Sequence, residues 1–176
     1  MKIIMVIVSS LNGKLTKGDD SNIYTWTSKE DQEYFFSLLE KNRALIMGSK
    51  TYNAVKKRIL LRKNLLRIIL TKEPKKYAHE TITGQLEFSD HSPHILVKTL
   101  ETRGYKKILI VGGAKVNTSF LKAQLVDELY LTLEPRIFGK GNNIFQEGEF
   151  ENRVQLRSVR KLNKRGTILL KYKFIK

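Results

Sequence analysis

The chain has 176 residues, enough for one domain with a continuous hydrophobic core and no covalent staple. Hydrophobic residues make up 41% and charged residues 28%, an ordinary globular balance, so no tract is expected to stay disordered. The absence of cysteine excludes a disulfide framework and a thiolate zinc site, and three scattered histidines make no metal centre, so a metal-free cytoplasmic protein is expected.

Thirty-three Lys and Arg against 17 Asp and Glu give a formal charge of +16, a field that would attract a phosphorylated ligand. The cations are interleaved with acids and lack the aromatic clustering of a recognised RNA module, so nucleic acid is not the expected partner.

Residues 3–8 are a continuous β-branched and apolar run, the pattern of a central strand covered on both faces. The run is far too short to span a membrane and has no signal-peptide cleavage region, so no membrane partner is expected. In Ser9-Ser10-Leu11-Asn12-Gly13-Lys14 the Asn-Gly pair ends the strand, and residues 19–22 read as an exposed polar loop. Thr27 and Glu30 stand at capping-box spacing, which predicts a helix from there to about residue 42 with Tyr34, Phe35, Leu38 and Leu39 on its apolar stripe.

Residues 43–47 then read as a buried strand ending at Gly48, residues 51–58 as a second helix and residues 67–71 as a third strand stopped by Lys72-Glu73-Pro74. A weaker strand is expected over residues 86–88. Ser92-Pro93 is a helix start, Ser as N-cap and Pro in first position, and Gly104 is its stop. Residues 107–111 form another buried strand, followed by Gly112-Gly113 and a helical segment with Val116, Phe120 and Leu121. Residues 126–133 complete the parallel set, and residues 154–162 and 167–175 form a hairpin turned at Asn163-Lys164-Arg165-Gly166.

Strands separated by helices predict one α/β domain over residues 1–176: a mostly parallel central sheet with an antiparallel C-terminal hairpin and flanking helices in three layers. Ligands of such sheets bind beyond the carboxyl ends of the strands. Val8, Ser9 and Lys14, the Gly48-Ser49-Lys50-Thr51 turn, Thr71-Lys72, and Val111-Gly112-Gly113-Ala114-Lys115-Val116 all fall there.

Gly112-Gly113 closes a strand and opens a helix, where free N–H groups and the helix dipole favour a phosphate; a tight turn needing positive φ explains the pair equally well. Gly48 to Thr51 repeats the arrangement, and two such turns suggest a dinucleotide. Neither has the spacing of a P-loop or of a Gly-x-Gly-x-x-Gly fingerprint. Asp31 is placed with Tyr34, Phe35 and Leu38 on the apolar stripe, so burial should raise its pKa and let it hold a proton near neutral pH. Acids in a first helical turn are also favoured by the dipole whatever their function. Glu30, Glu33, Asp127 and Glu128 read as caps or solvated positions.

At these segments the sequence resembles the dihydrofolate reductase superfamily, which includes the pyrimidine reductase of riboflavin synthesis. Leu45-Ile46-Met47-Gly48-Ser49-Lys50-Thr51-Tyr52 looks like the family's first NADPH-phosphate turn, and Ile110-Val111-Gly112-Gly113-Ala114-Lys115-Val116 like its second, where the family has a cis Gly-Gly peptide. The resemblance implies NADPH as cofactor. Ser49, Lys50, Thr51, Thr71 and Lys72 would hold the adenosine half with its 2′-phosphate, and Gly113, Ala114 and Lys115 the pyrophosphate.

Two features point toward dihydrofolate reductase itself: Asp31 is similar to its helix carboxylate, and Leu129-Tyr130-Leu131-Thr132 to the strand whose threonine bonds that carboxylate. This implies that Asp31 polarises the heterocycle, Thr132 orients Asp31, and Phe35 packs on the ring. Counted back from Met47-Gly48 without a gap, the carboxylate position falls on Gln32, so Asp31 requires a one-residue shift. Arg62 and Arg67 are the candidate cations for a glutamate tail.

The expected activity is reduction of dihydrofolate by NADPH. The alternative is reduction of 5-amino-6-(5-phosphoribosylamino)uracil, because Ser9 to Lys14 and Glu134-Pro135-Arg136-Ile137-Phe138-Gly139-Lys140-Gly141 look like the riboflavin-pathway enzyme. Val111 stands where that enzyme carries a glutamate. The partner is thus a small heterocycle, and such a reductase is compatible with a homodimer.

Overall fold

A computed structural model describes residues 1–176. In chain order its elements are β1 (Lys2–Ser10), α1 (Lys29–Glu40), β2 (Ala44–Gly48), α2 (Ser49–Val55), β3 (Leu66–Leu70), β4 (Leu86–Ser89), α3 (Pro93–Thr102), β5 (Lys107–Ile110), α4 (Ala114–Lys122), β6 (Glu128–Glu134), β7 (Arg153–Lys161) and β8 (Ile168–Ile175). All eight strands join one sheet in the order β4-β3-β2-β5-β1-β6-β8-β7. Neighbours from β4 to β6 are parallel, whereas β8 is antiparallel to both β6 and β7. This is the dihydrofolate-reductase-like α/β fold expected from the sequence.

The sheet has a core on each face, as the unbroken apolar runs of β1, β2 and β5 require. Ile3, Met5 and Ile7 pack with Leu96 and Leu100 of α3 and with Val116, Phe120 and Leu121 of α4. On the other face Ile4 packs with Leu45, Met47 and Tyr52, and Leu38 and Leu39 of α1 close over them. No helix is long and apolar enough to cross a membrane.

Several boundaries differ from expectation, each for a local reason. The cap of α1 is Ser28, not Thr27: Ser28 is extended and its hydroxyl accepts from the Asp31 amide at 3.3 Å, while Thr27 receives the Gln32 side chain. The helix stops at Glu40, and the Asn42 side chain donates to the Leu38 carbonyl at 2.6 Å. The second helix starts at once after Gly48 and ends at Val55, with a 3₁₀ turn over Lys56–Arg58.

β6 begins two residues late because the Asp127 carboxylate, rather than a strand carbonyl, accepts the Ile3 amide at 2.8 Å. Ser92 occupies the N-cap of α3 but makes no side-chain cap bond. The 3₁₀ segment Pro74–Glu80 has no counterpart in the sequence reading.

Phe120 is fully buried where α4 meets the sheet. Phe120→Ala is expected to lower stability by about 3–5 kcal/mol, the range for deleting a buried aromatic ring. Urea unfolding followed by circular dichroism measures it, and a loss below about 1 kcal/mol would mean that the helix is not held by this contact.

Candidate active site

Parallel strands carry their carboxyl ends to one edge of the sheet, and three turns meet there. The Gly48 amide donates to the Gly112 carbonyl at 2.8 Å, joining the β2–α2 turn directly to the β5–α4 turn. Gly48 pairs in register with Leu70 of β3, which sets Thr71 and Lys72 beside them. Space favours glycine at this junction: a Cβ on Gly48 would lie 3.1 Å from the Val116 side chain, and one on Gly113 would lie 3.2 Å from Thr51 Oγ1. Gly112 takes φ +91, and the peptide joining it to Gly113 is cis.

The α4 helix begins at Gly113 with no side chain capping its N–H groups, so the Ala114, Lys115 and Val116 amides remain available to an anion. Lys50, Lys72 and Lys115 are exposed around the junction. A crowded glycine cradle, an uncapped helix start and three cations fit a phosphorylated dinucleotide such as NADPH.

The β1 end divides its residues between the two faces. Val8 lies in register with Thr132 of β6, on the side of α1. Ser9, expected to touch the cofactor, is fully buried, and its hydroxyl donates to the Ser10 carbonyl at 3.0 Å. Lys14 Nζ donates to Asn143 Oδ1 at 2.7 Å and ties the loop after β1 to the segment after β6. Val111, half-buried, packs into the α1-side core.

Above Thr132 sits the helix carboxyl. Asp31 is the one buried residue of α1, with 7% of its surface exposed, and Gln32 turns away to Thr27. Asp31, not Gln32, is thus the helix residue that faces Thr132. Burial pushes the Asp31 carboxyl up to about 6, the Thr132 hydroxyl beside it acts in the opposite direction, and the Glu134 charge raises it further. Phe35, one turn along the helix, is half-buried and tilted against Phe36 at 6.0 Å between ring centroids.

Glu134 stands out in the sequence only as part of a motif, yet it is 3% exposed and anchors this corner. Its Oε1 accepts the Ser28 amide at 2.7 Å and its Oε2 accepts the Thr167 hydroxyl at 2.8 Å. The signal was its spacing: Thr132 and Glu134 are two residues apart on one strand and therefore share a face. Neither arginine candidate reaches this corner: Arg67 is buried with its guanidinium on the Leu60 carbonyl at 3.0 Å, and Arg62 lies exposed beside Leu65 in the loop before β3.

A family model described as RibD C-terminal domain matches residues 1–168. The protein YwjB of Bacillus subtilis, described as uncharacterised, is 24% identical over 164 residues, spanning 90% of this chain and 91% of its own length. Among solved structures, a pyrimidine reductase-like protein from Corynebacterium diphtheriae superposes with a TM-score of 0.79 at 18% identity, over 99% of this chain and 92% of that one. A diaminohydroxyphosphoribosylaminopyrimidine deaminase/5-amino-6-(5-phosphoribosylamino)uracil reductase from Thermotoga maritima superposes with a TM-score of 0.75 at 18% identity, over 99% of this chain and 56% of that one. The family match favours the pyrimidine reading of the sequence over the dihydrofolate reading.

A carboxyl raised to about 6 by its fold makes stability depend on pH. Between about 4 and 6 the folded chain holds a proton that the unfolded chain has released, so stability falls as pH rises through that window. Asp31→Asn removes the ionisable group. The variant is expected to be more stable than the parent by up to about 3 kcal/mol at pH 8, with the advantage gone below pH ~4. Thermal unfolding across pH measures it, and an equal gain or loss at every pH would show that Asp31 is not held in its neutral form.

Proposed function

We propose, from the fact that the chain belongs to the RibD C-terminal domain family, that it is an NADPH-dependent reductase acting on 5-amino-6-(5-phosphoribosylamino)uracil. The observation carrying the reductase reading is the junction of the two glycine turns, the Gly48 amide on the Gly112 carbonyl at 2.8 Å beside the uncapped start of α4, where a phosphorylated cofactor fits; the family match carries the choice of the pyrimidine. The name of the Thermotoga protein supports the substrate class, and the formal charge of +16 suits a phosphorylated substrate and cofactor alike.

When bound, NADPH supplies the hydride. The Gly113, Ala114 and Lys115 backbone holds its pyrophosphate, and Ser49, Lys50, Thr51, Thr71 and Lys72 hold the adenosine half. Asp31 is split between protonated and ionised forms near neutral pH, so its carboxyl can accept from an amino-pyrimidine edge or donate to a ring nitrogen. Thr132 orients that carboxyl. Glu134 fixes the helix start that carries it through the Ser28 amide. Phe35 gives the ring an apolar wall, and Trp26, edge-on to Phe138 at 5.3 Å, packs the floor of the loop leading into α1.

Dihydrofolate is the informative competitor, because Val111 stands where the riboflavin-pathway enzyme is expected to carry a glutamate. With purified protein, loss of NADPH absorbance is expected with the phosphoribosylamino-pyrimidine and not with dihydrofolate. The reverse pattern would overturn the substrate assignment. Asp31→Asn should lower kcat by about 10²–10⁴-fold, the usual yield of a positioned acid or base, while NADPH affinity holds; near-normal turnover would remove Asp31 from the chemistry.

Gly113→Val should weaken NADPH binding by at least about tenfold in a fluorescence titration, a loss of about 1.4 kcal/mol. Its added methyls crowd Thr51 in the cradle. Unchanged affinity would place the pyrophosphate elsewhere.

A further inference from the structure

β3 and β4 are parallel neighbours, so the chain between them must cross a face of the sheet, a task that usually falls to an α-helix. Here residues 71–85 make the crossing with the 3₁₀ segment Pro74–Glu80. Seven residues is long for a 3₁₀ run, whose hydrogen bonds are poorly aligned. Such a segment needs side chains to hold it down.

Glu80, its last residue, supplies the anchor. One carboxylate oxygen accepts the Tyr52 hydroxyl of α2 at 2.6 Å, and the other accepts Lys56 Nζ, just past the helix, at 3.3 Å. Tyr52 is buried and meets Phe88 of β4 edge-on at 5.5 Å, while Tyr77 of the 3₁₀ segment stacks on the same ring at 4.5 Å. The Tyr52 hydroxyl holds Glu80 below the usual carboxylate range, and burial together with the Glu80 bond raises Tyr52. The pair therefore stays a carboxylate and a neutral phenol near neutral pH, a fixed link rather than a proton carrier.

This link lies between two turns of the cofactor edge. Tyr52 follows Thr51, which borders Gly113, and the 3₁₀ segment follows Thr71 and Lys72, where the Thr71 hydroxyl accepts the Glu73 amide at 3.2 Å. We propose that Glu80 is a positioning residue: by bonding Tyr52 it fixes the β3 turn against the start of α2, and so makes the chain select a cofactor that carries a 2′-phosphate. The inference rests on the NADPH reading above, in which Ser49, Lys50 and Thr51 share the adenosine half with Thr71 and Lys72.

A phosphate oxygen bonds a cation at about 2.7–2.9 Å, so a phosphate that bridges both turns loses one partner if they part by about 1 Å. A cofactor with a free 2′-hydroxyl does not bridge them and is indifferent to their spacing. Charge argues that the role is geometric. An anion on the segment leaving a phosphate turn opposes phosphate binding by Coulomb's law, and the bond to Tyr52 accounts for its presence there.

Fluorescence titration of the full chain with NADPH and with NADH tests the proposal. Tyr52→Phe keeps the ring and every charge and deletes only the hydroxyl, so it is expected to fold as the parent does. It should weaken NADPH about tenfold, equivalent to about 1.4 kcal/mol, and leave NADH as it was. Glu80→Ala should do the same, while Glu80→Gln, which keeps an acceptor for Tyr52, should stay close to the parent. Unchanged NADPH affinity in Tyr52→Phe would overturn the proposal, and so would equal weakening of both cofactors, the mark of a general loosening of α2. Tighter NADPH in both Glu80 variants would also overturn it, because charge alone would then account for the effect. A parent that binds neither cofactor would instead sink the NADPH reading, and the inference with it.

Discussion

One backbone hydrogen bond, from the Gly48 amide to the Gly112 carbonyl, sets the spacing on which the site depends. It ties the end of β2 to the end of β5 and so fixes α2 and α4 relative to each other. With those helix starts fixed, a dinucleotide can be held by main chain rather than by flexible side chains, and little entropy is lost on binding. The turns approach closely enough that a Cβ would lie 3.1 Å from the Val116 side chain at Gly48 and 3.2 Å from Thr51 Oγ1 at Gly113. Space thus favours glycine at both positions, independently of any need for positive φ.

The second constraint is a pair of buried acids with different surroundings. Glu134 receives two hydrogen bonds, from the Ser28 amide and the Thr167 hydroxyl, which satisfy a buried acid. Asp31 has the Thr132 hydroxyl beside it, and burial outweighs that contact and pushes its carboxyl up to about 6. The two buried acids thus have different surroundings, one bonded to the helix start and one raised toward neutral pH. The raised carboxyl costs stability at neutral pH, which is common where a site holds a group in an unfavourable state.

Much of this was legible in the sequence. Continuous apolar runs gave β1, β2, β3 and β5, and helical periodicity placed Asp31 on the inward stripe of α1, because both signals are local and repeat over several residues. The site residues whose meaning depends on distant partners were harder to see. Glu134 looks like any strand-end acid until Ser28 and Thr167 are brought to it across the sheet.

The same holds for the cap of α1. Thr27 and Ser28 have equal chemistry, and the choice falls to Ser28 because Gln32 folds back onto Thr27. Asp127 likewise reads as a solvated acid but replaces a carbonyl in the sheet by accepting the Ile3 amide.

These acids also explain where the charge of the molecule resides. With only 17 carboxylates, the chain commits several of them inward or to fixed partners: Asp31 and Glu134 to the site, Asp127 to the Ile3 amide, Glu87 to a two-pronged pair with Arg103 at 2.7 and 2.8 Å. The cations are left to dominate the surface. A positive surface raises the local concentration of phosphorylated ligands and speeds their encounter, an effect that salt weakens over a Debye length of about 8 Å. It gives no discrimination among such ligands. On the proposed reading, selectivity would come from the corner built by Asp31, Thr132, Glu134 and Phe35, where a mismatched hydrogen bond leaves a buried polar group unpaired.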